Sequence, residues 1–293
     1  MVQSQLYLKD SYINPDYKFI LSGMIREYDI TKANVNILLS MGAITPEQAD
    51  YYINLPSQDR KVQMGYLQRD NENIKNALKD GFIKYRKLFF EHNQIQDHEV
   101  LSIKKDAIYL IDKVAFNTSF DNVTFVPKNV YNSYYRFGHY EFLYYMDQIR
   151  NIEVLDIKGV SKSAIPLHEN YFIDFLKFIF YSAMTESLDT VINSMSVFID
   201  NYKNFRLESG YYRELNSNSQ FRFRTNSFLS YTALYLQDEN YKQYLDISYN
   251  LQILHTIMSY YSTLYFKHQG GFRRWKTLMV DFISTKKKKQ NML

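Results

Sequence analysis

Residues 100–113, VLSIKKDAIYLIDK, constrain the fold most, because apolar and β-branched side chains (Val100, Leu101 and Ile103, then Ala107 to Ile111) flank an embedded Asp106. A short run of this kind, preceded by the turn-formers Asn93, Gln94, Asp97 and His98, is expected to form one buried β-strand. A carboxylate within it is unfavourable unless paired, hydrogen-bonded or bound to a cation; the alternative is a strand-end Asp facing solvent. Side-chain alternation puts Lys104 and Asp106 on the same face, where the ammonium can pair with the carboxylate.

A second carboxylate, Asp29, lies where Tyr28 to Leu39 turns from a strand end into a short helix. Thr45 as N-cap and Pro46 at the first helical position then start another helix. Residues 57–93 are largely one charged helical run with an apolar face at Val62, Gly65, Tyr66, Ile74, Ala77, Leu78, Phe82, Tyr85, Leu88 and Phe89. Its cations (Arg60, Lys61, Arg69, Lys75, Lys79, Lys84, Arg86, Lys87) are offset by Asp59, Asp70, Glu72 and Asp80, as on a solvated face. Alternating strands are expected over 107–113, 122–126, 129–137, 140–146 and 154–157. Residues 19–24 are expected to pair with the strand ending at Asp29. Helices follow over 168–184, 188–205, 231–237 and 241–267. The fold class is therefore α+β, an antiparallel sheet backed by helices and followed by a mainly helical region.

With 9 Gly and 5 Pro among 293 residues, the chain has little room for linkers. It has no cysteine, which excludes disulfides and thiolate metal sites and fits a reducing compartment. The 28 Tyr and 21 Phe read as core and surface filler, with base-stacking platforms the alternative. A formal charge of +4 permits a nucleic-acid partner without demanding one. No run reaches the roughly 18 apolar residues that span a bilayer, since 171–184 is interrupted by Asp174 and Lys177. The first 20 residues carry Lys9, Asp10, Asp16 and Lys18 in place of a secretion signal. No membrane association is expected, and the location expected is the cytoplasm. The six His residues lack metal-ligand spacing; serine nucleophile elbows and phosphate-cradling glycine loops are missing.

Asp29-Ile30-Thr31-Lys32-Ala33-Asn34-Val35-Asn36-Ile37-Leu38, followed by Ile44-Thr45-Pro46-Glu47, resembles motif A of the family B DNA polymerases, Asp-x-x-Ser-Leu-Tyr-Pro-Ser-Ile-Ile. Asp106-Ala107-Ile108-Tyr109 is similar to the second half of their motif C, Asp-Thr-Asp-Ser-Ile-Tyr. Lys128-Asn129-Val130-Tyr131 looks like the Lys-Lys-Arg-Tyr element that follows motif C, and Asp156-Ile157-Lys158-Gly159 looks like the Lys-x-x-Gly strand end before the thumb. The resemblance covers roughly 28–215, and the order of the motifs carries it. It implies a palm-like domain over 1–160 with truncated fingers at 46–93, thumb-like helices over 161–215, a helical extension over 216–285 and a basic tail over 286–293. The Tyr, Asn, Lys and Ile bias looks like AT-rich coding, as in many large bacteriophages, so the expected setting is an infected bacterial cell. The family's N-terminal and exonuclease domains would precede this stretch, and proofreading is not expected.

The resemblance makes Asp29 and Asp106 the expected catalytic residues and Mg²⁺ ligands. Two carboxylates on adjacent strands can hold two Mg²⁺ ions about 4 Å apart for nucleotidyl transfer. It makes Lys128, Tyr131 and Lys158 expected contacts to primer-template or duplex DNA. Arg222 and Arg224, in Phe-Arg-Phe-Arg, and Arg273, Arg274 and Lys276, beside Trp275, suit phosphate contact with stacking, or else are amphipathic surface. Three departures oppose catalysis. Lys104 replaces the first Asp of motif C, Asn34 replaces the ribonucleotide-excluding Tyr, and no Lys-x-x-x-Asn-Ser-x-Tyr-Gly nucleotide grip is present. The expected function is a non-catalytic, polymerase-derived subunit that holds nucleic acid or a replication or transcription protein. Two alternatives stay open: a minimal or split nucleotidyltransferase using Mg²⁺ at Asp29 and Asp106, and a phage interaction factor that kept only the fold.

Overall fold

The computed structural model describes residues 4–147, 149–215 and 246–267. It is a mixed α+β structure whose contacts form two units, one from Met1–Tyr17 with Met24–Val130 and one from Lys18–Gly23 with Tyr131–Leu293.

The first unit holds β1 (Ser11–Ile13), β3 (Ile25–Ile30), β4 (Val100–Lys104), β5 (Ala107–Ile111), β6 (Ser119–Phe120) and β7 (Val123–Tyr131), while β2 (Phe19–Ile20) belongs to the second. Their order in the sheet is β1-β4-β5-β3-β7-β6, so β3 lies at the centre between β5 and β7. Four helices join them: α1 (Ala33–Ser40), α2 (Pro46–Asn54), α3 (Ser57–Asp70) and α4 (Glu72–His92). Helix α4 buries Ile74, Leu78, Phe82, Tyr85 and Phe89 at three- and four-residue intervals. That stripe shares one core with Val35, Ile37 and Leu38 of α1 and with Tyr28, Ile30, Ile103, Ile108, Leu110, Val123 and Phe125 of the sheet. Phe89 stacks on Phe125, with centroids 4.3 Å apart, and tilts against Tyr28 at 5.4 Å. Burying one such ring contributes about 1.5–3 kcal/mol, which fixes the side of the sheet that the helices cover. The Thr45 cap forms as expected, as a capping box closed by Gln48 with Pro46 inside the first turn.

Two expectations fail here for local reasons. Residues 100–113 are not one strand but the antiparallel hairpin β4–β5, in which Lys104 pairs with Ala107 and the chain reverses at Lys105-Asp106. Lys105 takes the left-handed conformation (φ 53°) that a two-residue hairpin loop calls for, although no Gly or Asn marks the turn. Residues 57–93 are likewise not one run. Asn71 is extended (φ −141°, ψ 105°), and its side chain caps α4 by accepting from the Asn73 and Ile74 amides.

In the second unit the sheet order is β10-β9-β8-β2, with β8 (Ser133–Phe137), β9 (Tyr140–Asp147) and β10 (Ile152–Lys158). Phe19 and Ile20 pair with Tyr135 and Tyr134 of β8, so they do not partner the Asp29 strand, both of whose edges are already taken. The strands form two sheets in place of the single one expected. The expected strand 129–137 is split at Asn132 between β7 and β8. The helices are α5 (Ile165–His168), a π-helical turn (Glu169–Ile173), α6 (Asp174–Thr185), α7 (Leu188–Lys203) and α8 (Ser248–Lys267). Tyr135, Phe142, Tyr144 and Leu155 of this sheet share a core with Leu176, Phe180, Met195, Tyr202 and Ile257 of the helices. Because that core joins strands 131–158 to the later helices, the division by contacts falls after Val130 and not after residue 160.

Candidate functional site

Tyr28 and Ile30 of β3 face the helix-covered core, so alternation turns Glu27 and Asp29 to the opposite face. Asp29 ends the register with β5 opposite Ala107, next to the hairpin turn. The Asp106 carbonyl accepts from the Ile30 amide at 3.0 Å, which anchors the turn against the end of β3. The carboxylates of Asp29 and Asp106, distant in sequence, therefore meet where two neighbouring strands adjoin.

Their charges interact. Burial raises the Asp106 carboxyl above its ordinary value, and the negative charge of Asp29 adds to the rise. A hydrogen bond from its own backbone and the cations Lys105 and Lys128 oppose it. Lys128, on β7 at the other side of β3, donates its ammonium directly to Asp29 Oδ2. Partial burial works to lower the Lys128 ammonium; its hydrogen bond to Asp29 and the charges of Asp29, Glu27 and Asp106 outweigh this and hold it above the usual lysine value. Glu27, 6% exposed, accepts from the Tyr109 hydroxyl at 2.8 Å on one oxygen and from Asn129 Nδ2 at 3.0 Å on the other. Lys128, from the adjacent strand, thus interacts with Asp29, Glu27 and Asp106 alike.

A buried arginine secures the turn beneath it. Arg86 of α4 is fully buried and sends its donors to three acceptors on two segments: Nε to the Tyr7 carbonyl (2.9 Å), Nη1 to the Lys105 carbonyl (2.9 Å) and Nη2 to Asp10 Oδ1 (2.7 Å). The Lys105 amide in turn donates to the Asp10 carbonyl at 2.7 Å. The strained residue next to Asp106 is held from both sides, which is how a left-handed non-glycine residue persists.

Asp29, Asp106 and Lys128 come together, but Lys128 pairs with Asp29, whereas the expected pair was Lys104 with Asp106. The strand alternation that paired Lys104 with Asp106 does not exist across a hairpin turn, and the cations acting on Asp106 are Lys105 and Lys128. As arranged, these residues do not fit a Mg²⁺ ion. Lys128 sits on Asp29, both Glu27 oxygens have donors, and among the described residues no three His, Cys, Asp or Glu side chains gather to hold a metal. Tyr131 is a correction, because its ring is fully buried and its hydroxyl donates to Asp156 Oδ2 at 2.5 Å, which removes it from contact with a ligand. Lys158 lies at the end of β10, 3.6 Å from the same Asp156 oxygen. Asn34 is half-buried on α1. Arg222, Arg224, Arg273, Arg274 and Lys276 lie outside the described residues. Sequence reasoning missed Glu27, whose two-residue spacing from Asp29 was the available signal, and Arg86, which it took for part of a solvated face.

No helix among the described residues is long and apolar enough to cross a membrane. No curated protein matches the chain, and the comparisons give no link to family B polymerases. A family model described as bacteriophage PBS1 gene 130 protein matches residues 1–261. With most of its length matched, the chain belongs to the bacteriophage PBS1 gene 130 protein family.

Proposed function

We propose that this phage protein is a polymerase-derived, non-catalytic nucleic-acid-binding factor of a replication or transcription complex, working in the cytoplasm of the infected cell. One observation carries the reading: Asp29 and Asp106 converge at the end of an antiparallel strand pair, and Lys128 reaches across to Asp29. A carboxylate pair from a central strand and an adjacent hairpin is what two-metal nucleotidyl transfer requires. A chain-borne ammonium at that pair supplies the positive charge a metal would bring, so the scaffold keeps its shape without activating a primer hydroxyl. Cationic side chains would hold the phosphates of a primer-template. The alternative, a minimal or split nucleotidyltransferase with Asp29 and Asp106 as Mg²⁺ ligands, would require Lys128 to leave Asp29.

Primer-template binding and primer extension, measured on the same protein, separate these. Binding that weakens steeply with salt, with no extension in Mg²⁺ or Mn²⁺, is the expected result. Extension abolished by Asp29→Ala and by Asp106→Ala would replace it with the catalytic reading. Absence of binding even at low salt would leave a protein-interaction factor that kept only the fold.

A further inference from the structure

One exposed aromatic in the first unit is held in a way that a surface phenylalanine does not need to be. Phe116 is 85% exposed, on the segment linking β5 to β6. Its backbone is pinned from below: the Ala115 amide donates to the Tyr28 hydroxyl (2.9 Å), and the Phe116 and Asn117 amides both donate to Asn93 Oδ1 (2.8 and 2.9 Å). Asn93 Nδ2 returns a bond to the Asn117 carbonyl at 2.7 Å. Ala115 is buried, while Val114 and Phe116 on either side of it are exposed. They border a cleft of about 370 Å³ whose other walls include Pro127, Val130, Arg26 and Lys128. The charged side chains lining it, Arg26 and Lys128, are both cations. Lys128 is already ion-paired with Asp29, so the ring together with Arg26 suits a ligand with one flat apolar face and a negative charge next to it.

We infer that this cleft binds single-stranded nucleic acid, with one base stacked on Phe116 and its phosphate against Arg26. The inference rests on the nucleic-acid reading and adds to it the place where an unpaired base is held. Stacking on an aromatic side chain is tolerant of sequence, and pre-fixing the backbone under the ring removes the ordering cost that a mobile loop would bring. A protein partner would find the apolar rim but would have to satisfy the Arg26 cation as well; a phosphate does so directly.

The test is a short single-stranded oligonucleotide containing 2-aminopurine, whose fluorescence reports stacking, titrated at low salt into the full chain. Wild type should bind and quench. Phe116→Ala should lose the quench and weaken binding roughly five- to 150-fold, the range for one stacked base, while Phe116→Tyr retains both. Arg26→Gln should lower the salt slope by about one, as the loss of one phosphate contact does. If Phe116→Ala quenches and binds as wild type does, the cleft is not the site, while salt-dependent primer-template binding measured alongside leaves the broader reading standing. If wild type binds neither oligonucleotide nor primer-template, both fall. A substitution that alters only the sedimentation of the protein would overturn the inference and assign the patch to a second copy of the chain.

Discussion

Replacing Arg86 with Ala removes the guanidinium that ties α4 to the Asp106 turn. The Tyr7 and Lys105 carbonyls each lose a charged donor at 2.9 Å, worth about 1.5–3 kcal/mol apiece. The bond to Asp10 adds under about 1 kcal/mol, because that carboxylate is 65% exposed and screened by water. With some relaxation of the vacated space the loss should come to about 3–5 kcal/mol, a large part of the roughly 5–15 kcal/mol that stabilises a typical domain. Lys105 is also released from one of the two bonds that hold its left-handed backbone. The local reporter is the Ile30 amide, which donates to the Asp106 carbonyl. Its hydrogen-exchange protection should fall by roughly two orders of magnitude or more, alongside a lower denaturation midpoint. Arg86→Lys should lose most of the same stability, since one ammonium cannot reach three separate acceptors as a planar fork does. Unchanged Ile30 protection in Arg86→Ala, with a stability loss under about 1 kcal/mol, would refute the clamp.

Three further outcomes are expected. Lys128→Met removes a charge that lowers the Asp106 carboxyl, so its folded value, already raised, should climb further. Because the folded state then holds that proton above the unfolded range, the Asp106 contribution favours folding at low pH and is lost as pH rises through the folded value; an NMR titration of Asp106 whose midpoint does not move would contradict this. Gly81→Ala places a Cβ 2.2 Å from Ile37 Cγ2 and 3.1 Å from Met41 Cγ where α4 meets α1. It should cost about 1–3 kcal/mol in thermal unfolding, whereas a neutral result would mean that α1 moves freely. Asn93→Ala breaks bonds to the Phe89 and Asn117 carbonyls and from the Phe116 and Asn117 amides. It should cost about 2–4 kcal/mol at roughly 1 kcal/mol per bond and expose the Phe116 and Asn117 amides to exchange, and their continued protection would remove the argument for a pinned ring.

Elements specified by local pattern were legible. Ile74, Leu78, Phe82, Tyr85 and Phe89 recur at helical spacing and all lie in the core, whereas Val62 and Tyr66, read as part of the same face, are exposed on α3; the Thr45-Pro46 start forms as written. Elements specified by distant partners were not legible. The apolar run through Lys104-Lys105-Asp106 reads as continuous because its turn contains no usual turn-former at the left-handed position; that conformation is imposed by Asp10 and Arg86, far away in sequence. The two-residue strand Phe19–Ile20 is too short to show a period, so nothing local tells it to pair with β8. Lys128 looks from its neighbours like a free surface cation, and only the β3–β7 adjacency brings it to Asp29.

Because the ammonium facing Asp29 belongs to the same polypeptide, its local abundance is set by a few covalent bonds and not by the buffer. A group tethered in this way acts as though present at millimolar levels or above, so neither dialysis nor dilution thins it out. Any soluble cation must displace it, and the lysine's elevated proton affinity keeps it charged across the neutral range. Strongly alkaline solution, which neutralises the amine, is the condition that would open the carboxylate pair to an outside ion.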